Sequence, residues 1–308
     1  MNIIDIISKK TLLPSPNVMV FINTAPYRYK KYYLPKNSGG VREIAQPSRE
    51  LKVMQRIIIE KIADFLPIHE SAFAYVKGKS IKENAQKHKR NEYFLKLDFS
   101  DFFNSIKPSD LRNVLIKNGF EDDSFSLLLT DKIFFYKKTK KSGLTLSVGA
   151  PSSPLISNAV LYEFDVQVTE LCNKEGITYT RYADDLTFSC NEKGKLIGFQ
   201  KNIIKILRKI PSPHLRLNDK KTIYTSKSVS RRVTGIVINN DGQLSLGRKN
   251  KRMISSLIHH YTLNKLSAED VYKLKGYLSY AKHIESTFIN SMKIKYGVDT
   301  INAILKSN

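Results

Sequence analysis

The 308-residue chain has little cysteine, no metal-spaced histidine and no long apolar run, and each absence excludes a class of protein. Cys172 and Cys190 are its only cysteines, and the six histidines form no metal-binding spacing with them. This excludes a zinc site and leaves oxygen ligands for any metal. No stretch approaches the roughly 18 consecutive apolar residues of a membrane-spanning helix, and residues 1–10 lack the charge order of a signal peptide. We therefore expect a cytoplasmic protein.

Acidic side chains are scarce relative to basic ones. Lysine and arginine total 51 against 28 aspartate and glutamate residues, which gives a formal net charge of +23. An excess of this size can hold a polyanion electrostatically. Nucleic acid is therefore the expected partner, and an acidic membrane surface is the alternative that composition leaves open.

The chain alternates between patterns typical of helices and of strands, without a repeat or a low-complexity linker. Helices are predicted from Ser48, from Ser80 with Glu83 as a capping box, over residues 109–136, and from Ser153 as N-cap to about residue 171. The remainder after residue 246 is expected to be helical, with a cap at Ser267 and Asp270 and a stop at Gly297. Period-two patterns predict strands at residues 32–34, 41–44, 93–99, 177–182, 186–190, 233–238 and 243–246.

Three carboxylates follow strands that a shared sheet would bring together. Asp98 lies at the end of strand 93–99, and Asp184 and Asp185 lie in the tight turn after strand 177–182. Packed together, these groups repel one another unless they are protonated or bind a cation, and an all-oxygen set suits Mg²⁺. Two such ions roughly 3.5–4 Å apart can serve an in-line phosphoryl transfer. The pattern predicts polymerase or nuclease chemistry, although a lone Asp after a strand is usually only a cap.

Several motifs resemble those of reverse transcriptases, in the same order and with similar spacing. The palm motifs are matched by residues 97–103 (LDFSDFF), 149–154 (GAPSSP) and 182–185 (YADD). Residues 84–88 (NAQKH) and 233–235 (VTG) resemble two motifs of the retron subgroup. The chain is accordingly identified as similar to the retron-type reverse transcriptases.

This resemblance implies an α+β right-hand polymerase fold with fingers, a palm of antiparallel sheet plus helices, and a mostly helical thumb. It implies an N-terminal fingers region over residues 1–92 and the first catalytic strand of the palm over 93–106. A helical insertion of fingers or palm would follow over 107–145, then the rest of the palm over 146–230. Residues 231–308 would form an RNA-binding thumb.

The resemblance also implies the roles of the site residues. Asp98, Asp184 and Asp185 would be catalytic and would hold two Mg²⁺ ions, with the backbone carbonyl of Phe99 as a further ligand. The implied nucleotide-binding residues are Lys36, Arg42, Ser100, Asp101, Phe103, Gly149 and Lys221.

Three of these nucleotide-site assignments carry an alternative or a departure. Phe103 would exclude a ribose 2′-hydroxyl, whereas the alternative is a buried core phenylalanine. Lys221 would lie near the pyrophosphate as a general acid, but it could be an ordinary surface lysine, and Lys220 could face the site instead. Many relatives carry glutamine immediately before the Gly149 position, where this chain has Val148. Contacts from that glutamine to nucleotide or template are therefore absent or replaced.

The last 78 residues, 231–308, carry 13 basic and 5 acidic side chains, a net charge of +8. This charge suits a thumb that holds an RNA-containing duplex by its phosphates. The implied RNA-binding residues are Asn84, His88, Val233, Thr234, Gly235, Arg248, Lys249, Lys251 and Arg252. The alternatives are a structural hydrogen bond for the Asn–His pair and a plain strand start at residues 233–235.

The implied activity is that of a retron reverse transcriptase, an RNA-directed DNA polymerase. It would use deoxynucleoside triphosphates to copy its own structured noncoding RNA into RNA-linked single-stranded DNA (msDNA), primed by a guanosine 2′-hydroxyl. Anti-phage defence with an effector protein encoded nearby would be its setting. Two alternatives stay open: a group II intron-like or other bacterial reverse transcriptase, and a noncatalytic RNA-binding scaffold or toxin-neutralising subunit.

Overall fold

The computed structural model describes residues 2–35, 39–120 and 124–306, so the predicted triphosphate ligand Lys36 lies outside the described residues. Helices alternate with short strands throughout. The helices are α1 (Ile3–Thr11), α2 (Ser15–Thr24), α3 (Arg49–Ile62), α4 (Ile81–His88), α5 (Phe102–Ser105), α6 (Pro108–Lys117), α7 (Ser124–Phe134), α8 (Ser153–Val160), α9 (Tyr162–Lys174), α10 (Gln200–Lys209), α11 (Arg248–Thr262), α12 (Ala268–Ile284), α13 (Ser286–Tyr296) and α14 (Val298–Lys306). The strands are β1 (Tyr29–Pro35), β2 (Val41–Pro47), β3 (Tyr93–Asp98), β4 (Phe135–Lys137), β5 (Leu144–Leu146), β6 (Thr178–Tyr182), β7 (Asp185–Cys190), β8 (Ile223–Ser226), β9 (Arg231–Val233), β10 (Ile236–Ile238) and β11 (Leu244–Ser245).

The chain forms two compact units. The first comprises Met1–Lys77, Lys96–Phe188 and Lys195–Ile223, and the second comprises Gly78–Leu95, Ser189–Gly194 and Tyr224–Asn308. A four-stranded sheet has the order β6-β7-β3-β8, so β3 and β7 are hydrogen-bonded neighbours. This order places the end of β3 beside the turn that joins β6 to β7, as the carboxylate pattern predicts.

The first unit also contains the antiparallel hairpin of β1 and β2, in which Leu34 pairs with Arg42. This hairpin is longer than predicted at both ends. Its β2 strand is anchored by the Ala45 N–H, which donates to the Val148 carbonyl at 2.9 Å. The hairpin is thereby fixed against the segment that contains the GAPSSP motif.

The second unit buries the apolar faces of α11 to α14 against the sheet β9-β10-β11. Its core includes Val233, Ile236, Ile254, Leu274 and Ile301. No helix in the described ranges has the length and apolar content that crossing a bilayer requires.

Local capping chemistry predicted several helix ends correctly. Ser48, Ser80 and Ser267 each accept a hydrogen bond from the backbone N–H three residues later, at 3.3, 3.2 and 3.2 Å. Gly297, with φ of 90°, follows the end of α13. These ends are set within one turn of chain, which is why sequence reveals them.

Three predicted elements were wrong. The helix expected over residues 109–136 is two helices followed by a strand, because α6 ends at Lys117 before Gly119, which has φ of 81°. The helix expected from an N-cap at Ser153 begins at Ser153 itself, with Ser152 at the cap position, and is interrupted at Leu161.

The strand expected over residues 233–238 is the third error. Thr234 and Gly235 have φ of 45° and 85° and form a tight turn between β9 and β10. Two consecutive residues with positive φ suit a two-residue hairpin turn. The VTG motif is therefore a turn rather than the start of a strand.

Candidate active site

The three predicted catalytic carboxylates meet at one edge of the four-stranded sheet. Asp98 is the last residue of β3, Asp184 lies in the turn after β6, and Asp185 is the first residue of β7. The Phe99 N–H donates to the Asp184 carbonyl at 3.1 Å, which joins the two chain segments just beyond the strands. The predicted convergence of these residues is therefore present.

Electrostatic repulsion is built into this cluster. Burial, followed by the charge of Asp98, raises the pKa of Asp184. Burial and the neighbouring Asp184 raise the pKa of Asp185 from 3.8 to about 6. Carboxylates in this state gain from any cation that binds between them.

The ammonium group of Lys221 partly compensates the negative charge of this carboxylate cluster. It lies in a short 3-10 helix, Asp219–Lys221, and its Nζ donates to both carboxylate oxygens of Asp98 at 2.7 and 2.8 Å. The preceding Asn218 N–H donates to the Asp98 backbone carbonyl at 2.7 Å, which fixes this segment against β3. Both Lys220 and Lys221 are exposed, but Lys221 is the one whose ammonium contacts the cluster.

The three carboxylates and the Phe99 carbonyl are all oxygen donors, the ligand type that suits a hard divalent cation. Within residues 2–35, 39–120 and 124–306, no three His, Cys, Asp or Glu side chains are close enough to hold one metal ion. Asp98 is bonded to the Lys221 ammonium instead. Burial is the first cause of the raised pKa values of Asp184 and Asp185, and the charges of Asp98 and Asp184 add a repulsion that a cation between the groups would relieve. No described residue donates a hydrogen bond to the Phe99 carbonyl, which leaves this oxygen available as a ligand.

An open cavity of about 870 Å³ is lined by two of the three carboxylates, Asp98 and Asp184. Its walls come from the β1–β2 hairpin, the start of α5 and the 3-10 helix. The predicted nucleotide-binding residues that line it are Arg42, Ser100, Asp101, Phe103 and Lys221. Arg42 is exposed, and its charge lowers the pKa of Asp184, although burial and Asp98 outweigh it. The cavity thus has acidic groups on one side and basic groups near them, as a triphosphate with metal ions would require.

Phe103 lies in the wall of this cavity and not in the core. Its ring is partly exposed and packs edge-on against Phe102, with ring centroids 5.0 Å apart. Phe102, by contrast, is only 4% exposed and stacks on Phe99. The position is compatible with the predicted contact to a nucleotide sugar.

Gly149 lines a second cavity, of about 380 Å³, together with Phe103. Its φ is 124°, and a Cβ atom there would lie 3.1 Å from Ile44 Cγ2 and 3.2 Å from the Ala45 carbonyl oxygen. The close approach of β2 therefore requires glycine at this position, apart from any contact with nucleic acid.

Tyr75 is a cavity residue that the sequence did not reveal. It has φ of 62°, which is rare for an aromatic residue, and it lines both cavities. Nothing in the local pattern marks it, because its placement depends on distant segments.

The predicted RNA-binding residues fall into two groups in the second unit. Asn84 and His88 are buried, at 1% and 0% exposure. The His88 Nδ1 lies 2.7 Å from Ser189 Oγ, and burial lowers its pKa to about 3. This burial argues against direct contact with RNA and favours the structural hydrogen bond that the sequence left open for His88.

The remaining residues of this set differ in their exposure. Val233 is buried, Gly235 is exposed, and Thr234 Oγ1 donates to the Ile81 carbonyl at 3.2 Å. In the first turn of α11, Arg248, Lys249 and Arg252 are exposed, whereas Lys251 is ion-paired with Glu285. The exposed side chains here are the ones available to phosphates.

The raised pKa of Asp185 leads to a stability prediction. Its proton is held more tightly in the folded chain than in the unfolded chain, so the folded state loses stability as the pH rises from 3.8 to about 6. In EDTA, Asp185→Asn should therefore have a higher Tm than the wild type above pH 6. This gain should shrink toward zero as the pH falls to about 4, as measured by thermal melts across this range. A gain that does not change with pH would contradict the repulsion.

Known proteins match this chain along most of its length. Residues 34–238 match the family described as reverse transcriptase (RNA-dependent DNA polymerase). The retron Ec83 reverse transcriptase of Escherichia coli is 40% identical over 294 residues, which is 94% of each chain. The retron Ec73 reverse transcriptase of the same species is 36% identical, over 96% of this chain and 95% of the relative.

A solved structure shares the fold at low identity. The telomerase of Candida albicans, in complex with a fragment of telomeric RNA, aligns with a TM-score of 0.50 at 14% identity, over 90% of this chain and 59% of the telomerase chain. The predicted α+β polymerase fold is thus confirmed. With the YADD carboxylates at the sheet edge and similarity to retron enzymes over 94–96% of its residues, the chain belongs to the reverse transcriptases, and among them to the retron reverse transcriptases.

Proposed function

We propose that this RNA-directed DNA polymerase copies a structured noncoding RNA into msDNA, as part of an anti-phage system in the cytoplasm. The observation that carries the proposal is the convergence of Asp98, Asp184 and Asp185 at one sheet edge, beside a cavity that Arg42 and Lys221 also line. Similarity to retron enzymes over nearly the whole chain favours this function over that of an intron-encoded enzyme. An intact carboxylate cluster favours a polymerase over a noncatalytic scaffold.

Reverse transcriptases work with divalent metal ions. In this chain Asp98, Asp184, Asp185 and the Phe99 carbonyl would hold two Mg²⁺ ions. Bound there, the ions would activate the attacking hydroxyl and neutralise charge on the phosphates. The protein itself contributes position: the Phe99–Asp184 hydrogen bond and the sheet hold the carboxylates together against their repulsion.

The nucleotide would occupy the larger cavity. Arg42 and Lys221 would bind the triphosphate, together with Lys36, and the segment Ser100–Asp101 would lie beneath it. Phe103 and Gly149 would border the sugar and base. The Asp101 carboxylate is oriented by Asn104, whose Nδ2 donates a hydrogen bond to it at 2.6 Å.

The RNA would be held by the thumb, which we assign to residues 231–308. Arg248, Lys249 and Arg252 would contact phosphates from the start of α11, with Lys251 oriented by Glu285. Asn84 and His88 would act indirectly, because α4 supports the turn at Thr234 and Gly235 through the Thr234–Ile81 hydrogen bond. The fingers would include residues 1–92, and the palm would include residues 93–106 and 146–230, with the helical segment 107–145 inserted between them.

Replacing Lys221 should strengthen metal binding and slow nucleotide incorporation. Its ammonium competes with a metal ion for Asp98, so Lys221→Gln should bind Mn²⁺ more tightly than the wild type. The same variant should incorporate deoxynucleotides about 10²-fold more slowly, because a proton donor to pyrophosphate is lost. Mn²⁺ titration and single-turnover kinetics measure the two effects. Lys220→Gln removes the same charge from the exposed neighbour and should change neither; equal effects in both variants would reject the assignment.

The proposal is tested directly by expressing the chain together with its neighbouring genes and sequencing the nucleic acid that copurifies with it. Sequencing should recover a branched RNA–DNA species whose DNA copies part of the attached RNA. The Asp184→Asn/Asp185→Asn variant should recover the RNA without DNA. Intron RNA, or RNA without DNA on the wild-type protein, would contradict the proposal. A nearby effector gene, tested by phage challenge, addresses the defence role.

A further inference from the structure

Arg181 is the largest fully buried side chain of the described residues, and it precedes the catalytic turn by two positions. Its guanidinium forms a bidentate ion pair with Asp165 of α9: Nε donates to Oδ1 at 2.9 Å and Nη2 donates to Oδ2 at 2.6 Å. Both side chains are 0% exposed. A buried ion pair is weak evidence for added stability, because apolar residues of similar volume often serve as well. The presence of this buried ion pair therefore calls for an explanation other than stability.

The third guanidinium nitrogen of Arg181, Nη1, provides this explanation. This nitrogen donates to the Ala183 carbonyl at 3.2 Å and to Asn158 Oδ1 at 3.0 Å. Ala183 has φ of 57°, a conformation that costs a residue with a Cβ atom about 1–3 kcal/mol and persists only when the surroundings enforce it. Arg181 is therefore bonded to the strained residue that immediately precedes Asp184.

The same network extends to the segment that carries Tyr75. The Arg181 N–H donates to the Ser71 carbonyl and its own carbonyl accepts from the Phe73 N–H, both at 2.8 Å. Asn158 Nδ2 donates to the Ala74 carbonyl at 2.9 Å. Through its backbone and through Asn158, Arg181 thus links the catalytic turn to residues 71–74, which precede Tyr75 in the cavity wall.

We infer that Arg181 is a positioning residue: by holding the Ala183 carbonyl, with Asn158 and Asp165 fixing its own orientation, it sets the direction in which Asp184 and Asp185 present their carboxylates to divalent cations. This rests on the proposed metal-binding role of those aspartates. Arg181 contacts neither metal nor substrate. Its effect is on the geometry of the ligands, as for the outer partners of other metal sites.

Variants of the whole chain are compared by two measurements. Electron paramagnetic resonance gives the Kd for Mn²⁺, and thermal melts give the Tm. Arg181→Lys keeps the charge beside Asp165 but loses the planar fork, so the Kd for Mn²⁺ should rise about 10- to 100-fold. Asn158→Ala removes a restraint on Nη1 and should raise the Kd in the same direction by a smaller factor.

Tyr179→Phe is the matched control. It removes the hydroxyl that donates to the same Asp165 oxygen at 2.7 Å, but it has no bond to the turn. This variant should lower the Tm and leave the Kd for Mn²⁺ unchanged. If Arg181→Lys does not fold, the inference is tested by comparing the Kd for Mn²⁺ of Asn158→Ala with that of Tyr179→Phe.

Different results would reject the inference and the metal site on which it rests. Unchanged Mn²⁺ affinity in the Arg181 and Asn158 variants, or an equal loss in Tyr179→Phe, would reduce the network to a purely structural role. Mn²⁺ binding that also survives Asp184→Asn/Asp185→Asn would overturn the proposed metal site itself. Loss of binding in the aspartate variant alone would reject only the role of Arg181.

Discussion

Replacing Asp184 and Asp185 together by asparagine should reduce deoxynucleotide incorporation to background while RNA binding at low salt survives. Asparagine keeps the size of each side chain but removes the two charges that would hold divalent cations at the end of the sheet. The chemistry depends on those cations, whereas RNA is held mainly by basic side chains and its phosphates. Primer extension with Mg²⁺ and filter binding of RNA measure the two properties.

A control with the same change in charge separates the site from the net charge of the chain. Glu60→Gln with Asp64→Asn neutralises two exposed acidic residues in the first unit. This variant should retain both extension and RNA binding. Loss of RNA binding and extension together in the Asp184/Asp185 variant would indicate a damaged fold instead of a lost metal site.

Replacing Phe103 by alanine should allow ribonucleotides to be incorporated. The partly exposed ring lines the cavity that adjoins the carboxylates, where it would collide with a 2′-hydroxyl. Removing it should lower the preference for deoxynucleotides roughly 10- to 100-fold, measured as the ratio of kcat/KM for the two sugars.

Phe102→Leu provides the matched control for this change. Phe102 is buried and stacks on Phe99, so this variant should lose stability but keep sugar selection. If Phe103→Ala lowers the Tm as Phe102→Leu does and leaves sugar selection unchanged, Phe103 is a packing residue and has no role as a gate.

The sequence predicted what depends on short-range chemistry and on motifs. Ser48 and Ser80 mark helix starts because a side-chain oxygen and an N–H three residues later are neighbours in any helix. Asp98 and the YADD turn could be associated because strand order in a sheet brings strand ends together.

Long-range packing determined what the sequence missed. The position of Tyr75 depends on distant segments, because the neighbouring Ala74 carbonyl accepts from Asn158 Nδ2, 84 residues away. Arg181 pairs with Asp165 and Asn158, 16 and 23 residues away, through packing of a helix against the sheet that no local pattern specifies. The choice between Lys220 and Lys221 depends on how the 3-10 helix meets β3. The turn at Thr234 was missed because a β-branched residue rarely adopts positive φ.

Binding of Mn²⁺ in the absence of nucleic acid tests most directly whether the three aspartates act as one site. Isothermal titration of the wild-type chain is compared with the single variants Asp98→Asn, Asp184→Asn and Asp185→Asn, at a pH above 7 so that the carboxylates are ionised. Each single change should weaken binding, because all three carboxylates contribute to holding the ions. Wild-type affinity in all three variants would contradict the shared site.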